Sequence, residues 1–321
     1  ARKMKGICFI DGDNTYTTLG ICIIKGSYDN LVAFPPAKES DDKNDWPEED
    51  GIEIDLSSLT LNTYELSIDF ACKDDLGFSG LIAILSDMGY HEFYFPILDR
   101  TYRLRLSSQN SYTIYPGFQV VKITFANDFP RNSDYEYQEP VNSIPMPKGY
   151  EIDNRDLSEY SVAILKGSDA EILKAPTVKK NLLQNFKRLD GAIYDGEVVK
   201  FQTKEVSLKC LMRTETIEAF WRNHDALLYD LTKLTTKTDN EGYEYSDAER
   251  VLYCDGWSES YPCYYKDCQT NNFTLRGGVW WEFTLKLVFT CFRIEDTEFL
   301  LSSEAGEFII TEDGEFYIDL N

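Results

Sequence analysis

One stretch of this chain occurs twice. Residues 51–74 (GIEIDLSSLTLNTYELSIDFACKD) align without a gap with residues 191–214 (GAIYDGEVVKFQTKEVSLKCLMRT), 140 positions later. Gly51/Gly191, Asp55/Asp195, Thr63/Thr203, Glu65/Glu205 and Ser67/Ser207 are identical, and apolar alternation continues through Leu66/Val206, Ile68/Leu208 and Phe70/Cys210. Chance supplies roughly one or two identities over such a length. The flanks agree. GICIIKGS (20–27) parallels SVAILKGS (161–168), and an Asp-Asn pair precedes each, at Asp13-Asn14 and Asp153-Asn154. A repeat of this period predicts two copies of one domain, and 321 residues is about twice the usual ~150 per domain.

Each copy reads as a strand, a long loop, two strands, a helix, then three or four strands. Period-2 alternation in YELSIDF and EFTLKLVF marks strands with one buried face. The helix follows the matched strand: FSGLIAILSDMG (78–89) in the first copy, TIEAFWRNHDALLYDL (216–231) in the second. Strand pairs at 112–125 and 273–289 close the copies, with Gly277-Gly278 as a turn. The expected fold is mainly β, with one helix per repeat and the sheets packed as a sandwich or barrel. The expected domains are 1–130 and 151–295, joined by a proline-bearing linker at 131–150. A turn-rich insertion at 235–249 reads as a loop, and the acidic end at 296–321 as a hairpin tail.

Composition excludes several classes. Fifty-five acidic residues against 32 basic give a net charge of -23, which opposes binding to nucleic acid or anionic lipid through a basic patch. No window holds the ~18 consecutive apolar residues of a membrane helix. The opening ARKMKGICFI lacks the apolar core of a signal peptide, so no leader is expected within it.

Motifs for chemistry are equally sparse. There is no phosphate-binding glycine loop, no GxSxG, no HExxH and no CxxC, and the two histidines, His91 and His224, lie far apart. Asp11, Asp13 and Asn14 in IDGDNTY lack the glycine and later glutamate of a calcium loop and read as a plain turn. Cys254, Cys263 and Cys268 with His224 do not have zinc-knuckle spacing, so buried thiols are expected. Trp257, Tyr261, Tyr264 and Tyr265 read as strand-packing or interface groups. No catalytic residues, metal or cofactor are expected.

The copies differ sharply in one loop. PPAKESDDKNDWPEED (35–50) carries seven acidic and two basic residues; KAPTVKKNLLQNFKRLD (174–190) carries five basic and one acidic. Opposite signs at matching places predict unlike domains side by side, an acidic loop steered onto a basic one. The interface candidates are Glu39, Asp41, Asp42, Asp45, Trp46, Glu48 and Glu49 on one loop, and Lys174, Lys179, Lys180, Lys187 and Arg188 on the other. Head-to-tail contacts of this kind close into a ring where the rotation allows.

The doubled element order, at roughly 11–129 and 151–294, resembles the tail tube, distal tail and tail hub proteins of long-tailed bacteriophages, in a tandem-domain form such as a Bacteroidetes prophage carries. The ending EFIITEDGEFYID is similar to short C-terminal segments of such structural proteins. The resemblance implies tube-like domains and rings with a DNA-wide channel. It further implies three chains imitating six-fold symmetry, contacts with other tail and baseplate proteins, and a place in the virion after assembly in the bacterial cytoplasm. DNA would pass an acidic wall without specific binding. The alternatives are a carbohydrate-binding, adhesin-like β-sandwich protein and, further off, a glycosidase built on two of the many carboxylates.

Overall fold

A computed structural model describes residues 6–290, apart from 25, 41–42, 48, 74, 132–133, 181–182, 189, 194–198 and 239–241, and apart from the side chains of 75 and 110. The expected C-terminal hairpin at 296–321 lies outside the described residues. The chain is mainly β. Its first half runs β1 (Phe9–Ile10), β2 (Asp13–Asn14), α1 (Thr15–Leu19), β3 (Ile21–Ile23), β4 (Lys43–Asn44), β5 (Glu53–Ile54), β6 (Tyr64–Cys72), α2 (Asp75–Asp87), β7 (His91–Phe95), β8 (Arg100–Tyr115) and β9 (Phe118–Asn127). The second half runs β10 (Tyr150–Ile152), β11 (Arg155–Asp156), β12 (Val162–Ile164), α3 (Ser168–Leu173), β13 (Lys204–Thr214), α4 (Ile217–Thr232), β14 (Thr235–Thr238), β15 (Glu244–Asp247), β16 (Arg250–Cys254), β17 (Glu259–Thr274) and β18 (Val279–Phe289).

Two seven-stranded sheets share one strand order: β2-β1-β7-β8-β9-β6-β3, and β11-β10-β16-β17-β18-β13-β12. Every strand pairing in both is antiparallel. The register repeats as well. Phe70 faces Ile23 and Val121, while Cys210, 140 residues on, faces Ile164 and Phe283. Alternation explains both central strands: Leu66, Ile68, Phe70 and Cys72 point inward from β6, and Val206, Leu208, Cys210 and Met212 from β13.

The shared KGS motif has a physical role. The Ser27 hydroxyl accepts from the Asp69 N–H at 2.9 Å, and the Ser168 hydroxyl accepts from the Lys209 N–H at 2.9 Å. Each serine thereby caps a strand end that has run past its partner. Just upstream, Gly20 (φ 69°) and Ser161 (φ 56°) take the same left-handed conformation to end a helical turn, and glycine does so at lower cost.

The structural match at the first turn falls two residues from the sequence match. Asp11, not Asp13, is the counterpart of Asp153. Asp11 exchanges two hydrogen bonds with the Glu92 main chain, as Asp153 does with Val251, each 2.9–3.0 Å long. Asn14 instead caps α1, accepting from the N–H groups of Tyr16 and Thr17. The Asp-Asn dipeptides matched by letter, whereas the positive-φ turn residues, Asp11 with Gly12 and Asp153 with Asn154, are what the backbone preserves.

The insertion expected as a loop contains a hairpin, β14 paired with β15 from Thr235↔Asp247 to Thr238↔Glu244. Thr, Tyr and Ser alternate there in two short exposed strands, and the hairpin is fixed from below by Arg250. That arginine is 0% exposed, and all five of its N–H donors have acceptors. Nη1 meets Asp153 Oδ2 and Thr235 Oγ1, each at 2.7 Å; Nη2 meets the Lys233 and Asp247 carbonyls, and Nε the Ala248 carbonyl. The first half, which lacks the insertion, has His91 at this place, 2.6 Å from Asp11.

The 131–150 linker is laid along α4 as a strap. Tyr137 donates to Asp230 (2.8 Å), Arg131 to Thr232 (3.0 Å), and Asn223 bonds both the N–H and the carbonyl of Val141. These bonds settle the main chain of a segment that has no sheet partner.

Lys204 stands on β13 where the first half has Tyr64. It is nearly buried, donates to the Ile172 carbonyl and lies 5.3 Å over the Phe289 ring. Burial pushes its ammonium down to about 8, against which the nearby Glu171 pulls only in part. The folded chain therefore binds this proton less tightly than the unfolded chain, so stability is expected to rise as pH rises from about 8 toward 10. In Lys204→Met that rise should flatten and the midpoint at neutral pH should increase, both readable from urea unfolding across pH.

Candidate assembly surface

The long loops expected to carry the interface are two matching arms. Each is closed by the same stem. Ala37 bridges Leu61 in the first arm, and Val178 bridges Phe201 in the second. Lys38 N–H donates to Thr60 O and Asn62 N–H to Pro36 O, as Lys179 does to Lys200 and Gln202 to Thr177. Further out, Asn44 pairs with Glu53, and Gln184 with Ile193, again 140 apart. One backbone design therefore appears twice, and the two copies meet different surroundings.

The first arm is docked on the second half of its own chain. Phe34, 1% exposed, enters a cage of His224 (ring centroids 4.5 Å), Trp281 (5.1 Å), Phe283 (6.1 Å) and Tyr265 (6.4 Å). Edge-on contacts to Trp281, Phe283 and Tyr265 add to the area buried. Main-chain bonds flank the ring. Tyr265 donates its hydroxyl to Pro35 O (2.8 Å), Ala37 N–H donates to Lys266 O (2.9 Å), and His224 Nε2 lies 2.9 Å from Val32 O. Ala248 N–H donates to Leu56 O, so the end of the insertion holds the same arm.

A charged bolt lies beside the cage. Arg100 of β8 binds both oxygens of Asp225 on α4, at 2.9 and 3.1 Å, and its guanidinium sits 4.0 Å from the Trp221 ring centroid. Trp221 donates to the Leu98 carbonyl at 2.6 Å. Asp225 is held below the usual carboxylate range: burial opposes this, but His224 and Arg100 outweigh it. Burial pushes the His224 imidazole down, with Asp225 pulling the other way. This is a partner-satisfied polar group within an aromatic core, which is costly to expose and costly to break.

Of the twelve interface candidates, Asp41, Asp42 and Glu48 lie outside the described residues. The structure brings three of the others together within one chain. Lys179 Nζ lies 2.6 Å from Asp45 and donates to the Trp46 carbonyl at 2.8 Å. Nearby, Lys200 approaches Asp50 at 3.9 Å, Phe201 N–H donates to the Asp50 carboxylate and Gly51 N–H to Phe201 O. Glu39 pairs with Lys43 on its own arm, and Trp46 reaches Glu53. Glu49, Lys174, Lys180, Lys187 and Arg188 are exposed.

A cleft of about 850 Å³ opens between the first arm and the second sheet, lined by Lys38, Ile54, Glu205, Tyr264 and Lys266 among others. The charges in it are mixed, and Lys266 there pairs with Glu205. The described cysteines are free thiols. Burial pushes Cys8 up to about 11 and Cys254 up to about 12, so neither is a ready nucleophile. Among the described residues, no three His, Cys, Asp or Glu side chains are grouped to hold a metal, and no helix is long and apolar enough to cross a membrane.

Sequence reasoning missed Phe34, Trp221 and Arg100. The aromatic run did contain Tyr265, but nothing in the letters says that a phenylalanine 231 positions earlier is its partner. The one available signal was contrast: Phe34 stands where the second arm has Ala175, so the copies differ at the residue that docks.

No family model matches the chain, and no curated protein matches it. Among solved structures it is similar to the Dit protein of phage SPP1, described as a paradigm of the hub adsorption apparatus in phages infecting Gram-positive hosts. Identity is 12%, covering 89% of this chain and 98% of that one, with a TM-score of 0.27. At that score the likeness fixes neither fold nor role.

Proposed function

We propose that the chain is a non-enzymatic structural component of a phage or phage-derived tail, built of two tandem domains, which associates head to tail into a ring with a DNA-wide channel. Three chains would present six domains. The observation that carries this is the docked first arm: a head-to-tail contact between two domains of one topology already exists inside the chain. Repeating such a contact between chains is the simplest way to extend it, and a repeated heterologous contact closes into a ring or runs on as a filament. The net charge of -23 suits a lumen that lets DNA slide rather than bind. Other tail and baseplate proteins are the proposed neighbours, and the virion the proposed location.

Within the ring, the acidic and basic arms steer chains together. Lys179 is engaged with Asp45 in its own chain, which leaves Lys174, Lys180, Lys187 and Arg188 to face a neighbour, with Glu39 and Glu49 as acidic counterparts. Negative-stain microscopy and native mass spectrometry of the full chain should show a closed ring of three chains with a central hole. A monomer at every concentration tested would refute the proposal.

A carbohydrate-binding role is the second reading, favoured by the exposed aromatics Tyr112, Tyr115 and Phe118 at the β8–β9 tip. Tyr115 and Phe118, however, stack on each other at 4.9 Å, which occupies the faces a sugar ring would use. Glycan-array binding lost in Tyr115→Ala would favour this reading.

A further inference from the structure

The two arms share a backbone but not a fate. Val32, Phe34 and Pro35 of the first arm are buried against the second half; their counterparts Leu173, Ala175 and Pro176 lie open, with Leu173 59% exposed. Val178, the counterpart of Ala37, is also exposed, and its N–H has no partner among the described residues, whereas that of Ala37 donates to Lys266. The second arm is thus a docking strip of proven shape with nothing docked.

The first half carries the matching seat. In the second half, Phe34 rests on Trp281, Phe283 and Tyr265. By strand register, Gln119, Val121 and Leu106 hold those three places in the first half: Gln119 and Trp281 face Cys72 and Met212, and Leu106 and Tyr265 face Phe125 and Leu287. Even a side-chain bond is kept, Trp281 to Thr270 in one copy and Tyr112 to Gln119 in the other. Lys266, whose carbonyl receives Ala37, is a bulged residue with no partner in β18; Ser107 is bulged at the same place on β8. On this seat Ile114 is 70% exposed, and Tyr112 beside it is exposed as well.

We propose that the strip Leu173–Val178 of one molecule docks on the β8–β9 face of the first half of a second copy, repeating between chains the contact that Val32–Ala37 makes within one. Charge favours this occupant. The strip belongs to the basic arm, while residues 6–130 carry twenty acidic against eight basic residues. The bond that completes the match runs from Val178 N–H to the Ser107 carbonyl of the neighbour. This inference rests on the ring reading above but specifies the contact that closes it.

Two charge insertions and a mixture test it. Leu173→Glu spoils the strip and leaves the seat; Ile114→Glu spoils the seat and leaves the strip. Both residues are exposed, so each variant should keep the circular dichroism and unfolding midpoint of the parent. Each alone should weaken self-association on the order of 100-fold in sedimentation velocity, the scale of losing an interface anchor. Mixed in equal amounts, they should form a 1:1 dimer and nothing larger, since each contributes one working end. If wild-type chains form rings and both variants do too, the contact lies elsewhere and this inference fails while the ring stands. If the wild type is monomeric throughout, the ring reading fails with it. If rings are lost in the variants but the mixture gives no dimer, the head-to-tail pairing of strip and seat is wrong.

Discussion

Phe34→Ala is expected to cost about 3–5 kcal/mol, the range for deleting a fully buried aromatic ring. The ring touches His224, Tyr265, Trp281 and Phe283 at once, so its removal opens a cavity between domains rather than within one. The loss should therefore show twice. The midpoint in urea should fall, and protease should reach the first arm, whose backbone bonds to Lys266 and Tyr265 lose their anchor. Phe186→Ala on the second arm is the control. That side chain is 51% exposed, and the change should move the midpoint by less than about 0.5 kcal/mol. Equal effects from the two substitutions would mean that the arm is not held by its phenylalanine.

Arg250→Ala should be of similar size, about 3–5 kcal/mol, for a different reason. The guanidinium satisfies the Asp153 carboxylate and carbonyls at the end of α4 and on both sides of the insertion hairpin. Alanine leaves those acceptors buried without donors. Arg250→Lys should recover only part of the loss, because a single ammonium presents three donors where five are used. Thermal unfolding of the three proteins ranks them. His91→Ala in the first half should be milder, since Asp11 keeps its two bonds to the Glu92 main chain and remains one-third exposed. The comparison separates what the shared corner needs from what the insertion adds.

Much of the fold was legible because it rests on periodicity. Alternation in YELSIDF placed β6, and its match at 204–214 placed β13, in register with the pairings observed. The helix at 217–231 followed from its apolar spacing. The first turn was misaligned by two residues because it is defined by backbone conformation, which Asp, Asn and Gly meet interchangeably. The insertion was read as a loop because its strands bury little and alternate polar with polar. The charges on the arms were legible as a contrast, yet the structure unites only Lys179 with Asp45 and Trp46. The rest of the junction depends on Phe34, Arg100 and Trp221, each unremarkable in its own segment. Contacts between residues more than a hundred positions apart leave no trace in local spacing.

The fusion of two such domains in one chain has a bearing on errors of assembly. Because one domain-to-domain contact is formed before any chains meet, it is supplied at the effective concentration of a tethered partner, in the millimolar range for short tethers, and does not depend on expression level. Domains can then join a growing circle only in twos. A five- or seven-domain circle, the defect most easily reached by losing or gaining one unit, is forbidden by parity, and the nearest permitted mistake is a whole chain away.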